Sequence, residues 1–310
     1  MKKILVTPRS FGKFNRSSVE KKLNDAGIEI VYNPYNRIMT KEEMISTLKG
    51  MDGLIVGVDP VDEEVLEAAG TLKAIAKYGV GTDNIDLDAS RKLNIPVSTT
   101  KNANSNAVAD YSFGMMAAVA RNIVRINNSA KNGDWTKQTA IDIYKKKIGI
   151  IGLGAIGKGM VNRCKGFDME IYAYDVYKDE NYIKENNIKF TAVDEMLKEC
   201  DFITLHIPLT DETKHIINEN NLKNCKKNLV IVNTARGGLI DEKALYDALK
   251  TNRIYGAAID AFEIEPPRNS PLLELDNVIV GSHTAAGSED ATNMMTEMAV
   301  ENIIRDLGGK

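Results

Sequence analysis

Gly152, Gly154 and Gly157 stand in the run Ile148-Gly149-Ile150-Ile151-Gly152-Leu153-Gly154-Ala155-Ile156-Gly157, a short apolar strand entering a G-x-G-x-x-G turn near the middle of the chain. Each glycine has its own mechanical task. The first permits a tight turn, the second lets the backbone approach a pyrophosphate, and the third lets the following helix pack closely, with the phosphates at that helix's N-terminus. A glycine-rich turn alone is weak evidence, because many bind nothing. Its context adds weight: a second apolar run, Met169 to Tyr174, ends in Asp175, 23 residues after Gly152. A carboxylate there can accept hydrogen bonds from ribose hydroxyls and would repel a 2′-phosphate, so NAD is expected ahead of NADP. Lys178 is the one nearby base that could blunt that preference.

A nicotinamide cofactor implies hydride transfer, and a carbinol partner then needs a group that gives or takes a proton near neutral pH. Histidine does this best, and only His206, His215 and His283 occur. His215 follows Lys214 in a polar stretch. His206, in Leu205-His206-Ile207-Pro208, ends a strand on the cofactor side, where packing or an adenine-side role fits it. His283 follows the last apolar strand, Asn277 to Ser282, and strand C-termini open onto the ligand crevice in such sheets, so it is the strongest acid-base candidate. Two further segments carry chemistry. Leu229 to Gly238 leads a strand into Arg236, flanked by small residues, whose guanidinium can grip a carboxylate with two parallel hydrogen bonds. Ala257 to Pro267 places Glu263 and Glu265 just beyond another strand.

Parallel sheets covered by helices must position these groups. Strand patterns at Ile4 to Val6, Ile28 to Tyr32, Leu54 to Val58, Ala74 to Ala76 and Pro96 to Ser98 alternate with helical ones at Ser17 to Ala26, Lys41 to Lys49 and Val61 to Ala69. A long helix is predicted from about Ser105 to Asn127, with a break before Gly133. Strands follow near Ile148, Ile171, Phe202, Leu229, Ala257 and Val278, with helices such as Ala155 to Lys165 and Glu242 to Lys250 between them. Ser288 to Leu307 reads as a closing helix returning to the first domain. The expected architecture is therefore α/β, two doubly wound parallel-sheet domains. A Rossmann nucleotide-binding domain at 102–284 is inserted in a flavodoxin-like substrate domain made of 1–101 and 285–310. The substrate is expected to meet the nicotinamide in a cleft between them, with the crossings near 101–105 and 284–288 acting as hinges.

Composition excludes several classes. With 43% hydrophobic and 27% charged residues and a net charge of -3, the chain has neither the bias of a disordered segment nor the basic surface of a nucleic-acid binder. Cys164, Cys200 and Cys225 are odd in number and widely spaced, which fits reduced thiols in a cytoplasmic protein. Neither a signal peptide nor a membrane-spanning run is found, and no metal site is expected.

The order of these motifs resembles the D-isomer-specific 2-hydroxyacid dehydrogenases, and among them the phosphoglycerate dehydrogenase branch. The likeness is carried by the fingerprint, Asn233-Thr234-Ala235-Arg236-Gly237, Asp260-Ala261-Phe262-Glu263-Ile264-Glu265-Pro266 and the late His283. Tyr78 to Asp86, Asn102 to Ser105, Gly133-Asp134-Trp135 and Cys200 to His206 add to it. The resemblance implies that Arg236 binds the substrate carboxylate and carbonyl, His283 is the acid-base, and Glu265 orients it and favours its imidazolium form. It implies substrate contacts from Lys77 and the Tyr78, Gly79, Val80 and Gly81 backbone. It sets Ala155, Ile156, Asp175, Ile207, Thr234 and Ala235 along the cofactor, with Asp260 at the nicotinamide carboxamide. The implied assembly is a homodimer, and the partner is a small 2-hydroxy or 2-keto acid.

Several positions depart from the family pattern. Ser282 stands where a proline usually precedes the histidine, Asp110 where a glutamate is usual, and Thr284-Ala285-Ala286 replaces the usual continuation. Gly57 and Lys77 stand where phosphoglycerate enzymes carry arginines, and a lysine offers a point charge in place of a two-pronged grip. The chain ends soon after its closing helix, so feedback through a carboxy-terminal regulatory domain is not expected. The leading expectation is 3-phosphoglycerate dehydrogenase. In that reading Lys77, and Lys137 from a partner subunit, are the candidate phosphate readers; the alternatives are a glyoxylate or hydroxypyruvate reductase and a non-enzymatic NAD(H)-sensing corepressor-like protein. A formate-oxidising relative fits less well, because those carry an amide where Glu265 stands.

Overall fold

The computed structural model describes residues 1–308; the last two residues of the expected 285–310 segment lie outside them. The chain forms two compact units, Met1–Asn104 with Ala286–Lys310, and Ser105–Ala285.

In the first unit β1 (Lys2–Val6), α1 (Arg16–Asp25), β2 (Ile28–Tyr32), α2 (Lys41–Leu48), β3 (Gly53–Val56), α3 (Glu63–Ala69), β4 (Ala74–Lys77), α4 (Leu87–Lys92) and β5 (Val97–Thr99) follow one another. The sheet is parallel with order β2-β1-β3-β4-β5. β3 and β4 are buried along their whole length, the signature of strands covered on both faces. The helices start where local chemistry dictates: Thr40 and Glu43 form a capping box on α2, and the Asp62 and Asp86 carboxylates accept the amides of Val65 and Ala89. Asp62 therefore shortens the helix expected from Val61.

The second unit runs α5 (Ser105–Ala120), α6 (Ile123–Lys131), β6 (Lys147–Ile151), α7 (Ala155–Lys165), β7 (Glu170–Tyr174), α8 (Glu180–Glu185), β8 (Lys189–Phe190), α9 (Val193–Glu199), β9 (Phe202–Leu205), α10 (Glu219–Lys223), β10 (Val230–Asn233), α11 (Glu242–Lys250), β11 (Gly256–Ile259) and β12 (Val278–Val280). All seven strands are parallel, in the order β12-β11-β10-β9-β6-β7-β8. The expected architecture of two parallel-sheet α/β domains is the one observed. One face of this sheet packs Met116, Val119, Met160 and Val161 of α5 and α7. The other packs Met196, Leu197, Leu245 and Leu249 of α9 and α11. The closing helix α12 (Glu289–Asp306) belongs to the first unit, where Met295, Val300 and Ile303 pack with Ile4, Val6 and Ile55.

The long helix predicted from Ser105 to Asn127 is broken. Asn122 adopts a left-handed φ of 54° between α5 and α6, a conformation asparagine tolerates better than most side chains. The apolar spacing of Ile123, Val124 and Ile126 continues across the break, and none of α6's residues is buried.

In the second sheet the chain leaves β6 toward β7 on one side and returns to β9 on the other. Ligands of open α/β sheets bind beyond the carboxyl ends at such a reversal. The Gly152 turn follows β6, and His206 follows β9.

Candidate active site

The turn after β6 is built by close approach. Gly152 has φ 101°, and a Cβ there would lie 2.5 Å from the His206 carbonyl oxygen. A Cβ on Gly157 would come within 2.0 Å of the Gly152 oxygen, so α7 can seat on the turn only with a glycine there. Gly154 has open space around it and caps α7 with no side-chain hydrogen bond, so the first-turn amides at Ala155 and Ile156 lack a capping side chain, the feature by which a helix start accepts an anion. Asp175 follows β7, and its carboxylate is fixed to the turn: Oδ2 accepts the Leu153 amide at 2.6 Å and Oδ1 the Tyr177 amide at 3.0 Å. Ile207 packs against Gly152 across the reversal point. A cradle that any side chain would fill, an uncapped helix start and a carboxylate pinned beside them fit a dinucleotide. Bound NAD would supply or accept the hydride there. Thr234 lies deeper, its hydroxyl 2.7 Å from that of Ser112, and Ala235 donates its amide to Asn233 Oδ1 at 3.1 Å.

Three loops of this unit carry Arg236, Glu265 and His283, and the last two meet. Arg236 sits on the turn after β10, shaped by Asn233, whose side-chain amide donates to the Arg236 carbonyl at 2.8 Å. Gly237 presses against the loop after β11, and a Cβ on it would lie 2.0 Å from the Phe262 oxygen. That second loop carries Glu265, which accepts the Phe262 amide at 3.1 Å. His283 is on the loop after β12, with Nδ1 2.9 Å from both Glu265 oxygens. An ionised carboxylate only accepts, so Nδ1 bears the proton that faces it, and Nε2 is left for a substrate oxygen. The His283 and Glu265 side chains are 46% and 39% exposed, so a ligand can reach them.

The other histidines are placed differently. His206 Nε2 meets the Thr204 hydroxyl at 2.9 Å, and its buried Nδ1 has no hydrogen-bond partner among the described residues. Burial pushes its imidazole down to about 3, so it is neutral at any working pH and cannot serve as a proton donor. His215 pairs with Glu263 at 3.1 Å and not with Glu265.

The candidate substrate residues Lys77 to Gly81 lie in the first unit. Lys77 ends β4 and is buried, with its ammonium donating to the Gly57 carbonyl and, at 2.8 Å, to Asn84 Oδ1. The Tyr78 hydroxyl donates to the Thr292 carbonyl at 3.0 Å, and burial holds the phenol above its usual range. Gly79, at φ 128°, exchanges bonds with Thr100, and Val80 is exposed at the loop tip before Gly81. Asn84, Asn233 and Gly237 entered the sequence reading only as members of motif stretches, with no task assigned to them. Asn233 acts locally, through its side-chain bond to the Arg236 carbonyl three residues on, whereas Asn84 bonds to the Gly57 and Asp59 carbonyls and Gly237 approaches Phe262 across 25 residues or more, contacts that local spacing does not show.

A family model described as the D-isomer specific 2-hydroxyacid dehydrogenase NAD binding domain matches residues 113–285. The chain belongs to that family. It is an NAD-dependent oxidoreductase, and the turn after β6 lies inside the matched segment. A D-3-phosphoglycerate dehydrogenase of Methanocaldococcus jannaschii is 44% identical over 88% of the chain. The chain spans only 53% of that relative's length. A glyoxylate reductase of Korarchaeum cryptofilum is 39% identical, over 86% of this chain and 82% of its own. Among solved structures, a D-lactate dehydrogenase of Aquifex aeolicus in complex with NAD and lactic acid superposes with a TM-score of 0.83 at 30% identity, covering 96% of this chain and 93% of that one. No helix among the described residues of this dehydrogenase is long and apolar enough to cross a membrane.

Proposed function

We propose that this dehydrogenase interconverts a small, unphosphorylated 2-oxo acid of the glyoxylate or hydroxypyruvate class with the corresponding 2-hydroxy acid, of D configuration where C2 is chiral. The observation that carries the choice is Lys77. Its ammonium is buried and spends hydrogen bonds on the Gly57 carbonyl and Asn84, while Gly57 itself has no side chain to offer a phosphate. The glyoxylate reductase among the relatives supports the same reading. In this account Arg236 binds the carboxylate and the carbonyl oxygen, and His283 Nε2 delivers the proton to that oxygen in reduction and removes it in oxidation. Glu265, holding Nδ1, keeps the ring in register and stabilises the imidazolium. Arg236 also meets the negative charge that grows on the oxygen, a preorganised contribution that needs no reorientation during reaction. Asp175 serves the ribose hydroxyls of NAD.

Oxidation of D-3-phosphoglycerate is the second reading, favoured by the 44% identical relative. Lys77→Met separates the two. If Lys77 only holds Gly57 and Asn84, kcat/KM for hydroxypyruvate and for its phosphorylated form should fall by the same factor, measured with NADH at steady state. A loss confined to the phosphorylated acid, of about 1.5 to 3 kcal/mol for a charged hydrogen bond, would move phosphoglycerate ahead.

We also propose a homodimer. Ile123, Val124 and Ile126 of α6 are exposed, and Trp135 is 84% exposed, an apolar set that a second copy would cover. Light scattering should return twice the 34.2 kDa chain mass, and a monomer mass would remove the proposal.

A further inference from the structure

We propose that Asp260 is a positioning residue for His283: it clamps the loop after β12 from within, and Tyr111 and Gly281 complete the clamp. The inference rests on the reading of His283 as the acid-base and deepens it.

The loop bonds to Asp260 at three points. The Asp260 carbonyl accepts the His283 amide at 2.9 Å, Oδ1 accepts the Thr284 amide at 3.1 Å, and Oδ2 accepts the Ala285 amide at 2.9 Å. Three consecutive amides are thus gathered by one residue that is 1% exposed. A buried carboxylate must be met by donors, and here the donors are the loop itself. The Tyr111 hydroxyl, from α5, faces the same carboxylate, and burial followed by the Asp260 charge raises its phenol. Gly281 marks how tightly the parts fit. A Cβ there would lie 2.0 Å from Asp260 Oδ1 and 2.7 Å from the Tyr111 hydroxyl oxygen.

His283 needs such a clamp. Its φ is 54°, a left-handed conformation uncommon for a residue with a side chain, which the bonds to Asp260 help to hold. Among the described residues its half-exposed ring hydrogen-bonds to Glu265 alone, so packing does not fix the backbone beneath it. Once the loop is released, the residue can relax to negative φ and swing Nδ1 away from Glu265. The resemblance assigns Asp260 to the nicotinamide carboxamide. In this fold each of its oxygens already accepts a loop amide.

Two substitutions test the clamp. Asp260→Asn keeps the shape but turns an NH2 toward one of the two loop amides, and Tyr111→Phe removes only the hydroxyl. Imidazole NMR on the cofactor-free enzyme reads His283 directly, because only three histidines contribute signals. Both variants should shift or broaden the His283 resonances and leave those of His206 and His215 in place. With a reactive 2-keto acid, kcat should drop by about 10- to 50-fold in Asp260→Asn and about 3- to 10-fold in Tyr111→Phe, while NADH Kd from fluorescence stays within about threefold. Unchanged His283 resonances would overturn the clamp, and if NADH Kd then rose by about tenfold, Asp260 would be a cofactor contact instead. The resonances decide the clamp whichever acid the wild type reduces, and Tyr111→Phe carries the test should Asp260→Asn fail to fold.

Discussion

His283→Ala is expected to lower kcat by about 10²- to 10⁴-fold in either direction, with NADH Kd nearly unchanged. The size follows from the lack of a substitute. His206 is neutral, its pKa pushed down to about 3 by burial, and its Nε2 is engaged with Thr204. His215 is tied to Glu263. With the imidazole gone, the Glu265 carboxylate has no ring to orient, and a proton must come from water. Stopped-flow turnover and NADH titration of the variant together check this. A variant with wild-type turnover would show that the proton comes from elsewhere.

Arg236→Lys should reduce kcat/KM by about 10²- to 10³-fold, even though the positive charge is kept. The guanidinium offers two parallel donors matched to a carboxylate and can polarise the neighbouring carbonyl from the same plane, whereas an ammonium is a single point of charge. The backbone beneath Arg236 is set by Asn233 and by the approach of Gly237 to Phe262, so the loop should survive the change. The loss should appear in both KM and kcat, because the ground-state carboxylate and the developing oxyanion each lose a partner. A rise in KM alone would confine Arg236 to holding the substrate.

The β-α rhythm was legible because fully apolar strands and glycine-rich turns are local signals. Gly152, Gly154, Gly157 and Asp175 could be read together since their spacing is itself the mechanism. Asn122 could not be read as a break: it lacks the stiffness of proline, and the apolar period runs through it into α6. His283 and Glu265 could be nominated from their strand ends, but their 2.9 Å pairing depends on β11 and β12 lying side by side, which no local pattern states. Lys77 shows the opposite case. Its charge suggested a phosphate partner, and only the folded unit reveals that its ammonium supports Gly57 and Asn84. The left-handed backbone of His283 and the amides gathered by Asp260 left no trace in the sequence, because they arise from contacts 23 to 25 residues apart.

The central claim is a hydride exchange that is specific for the D configuration and runs through the loops of Arg236, Glu265 and His283. Its most direct test is the initial rate of NADH formation from NAD with D-glycerate and L-glycerate offered separately to the wild-type enzyme. The account predicts NADH formation with the D isomer and none above background with the L isomer. NADH formation from the L isomer would contradict it, as would a protein that binds NADH yet turns over neither glycerate isomer nor any 2-keto acid in the reverse direction.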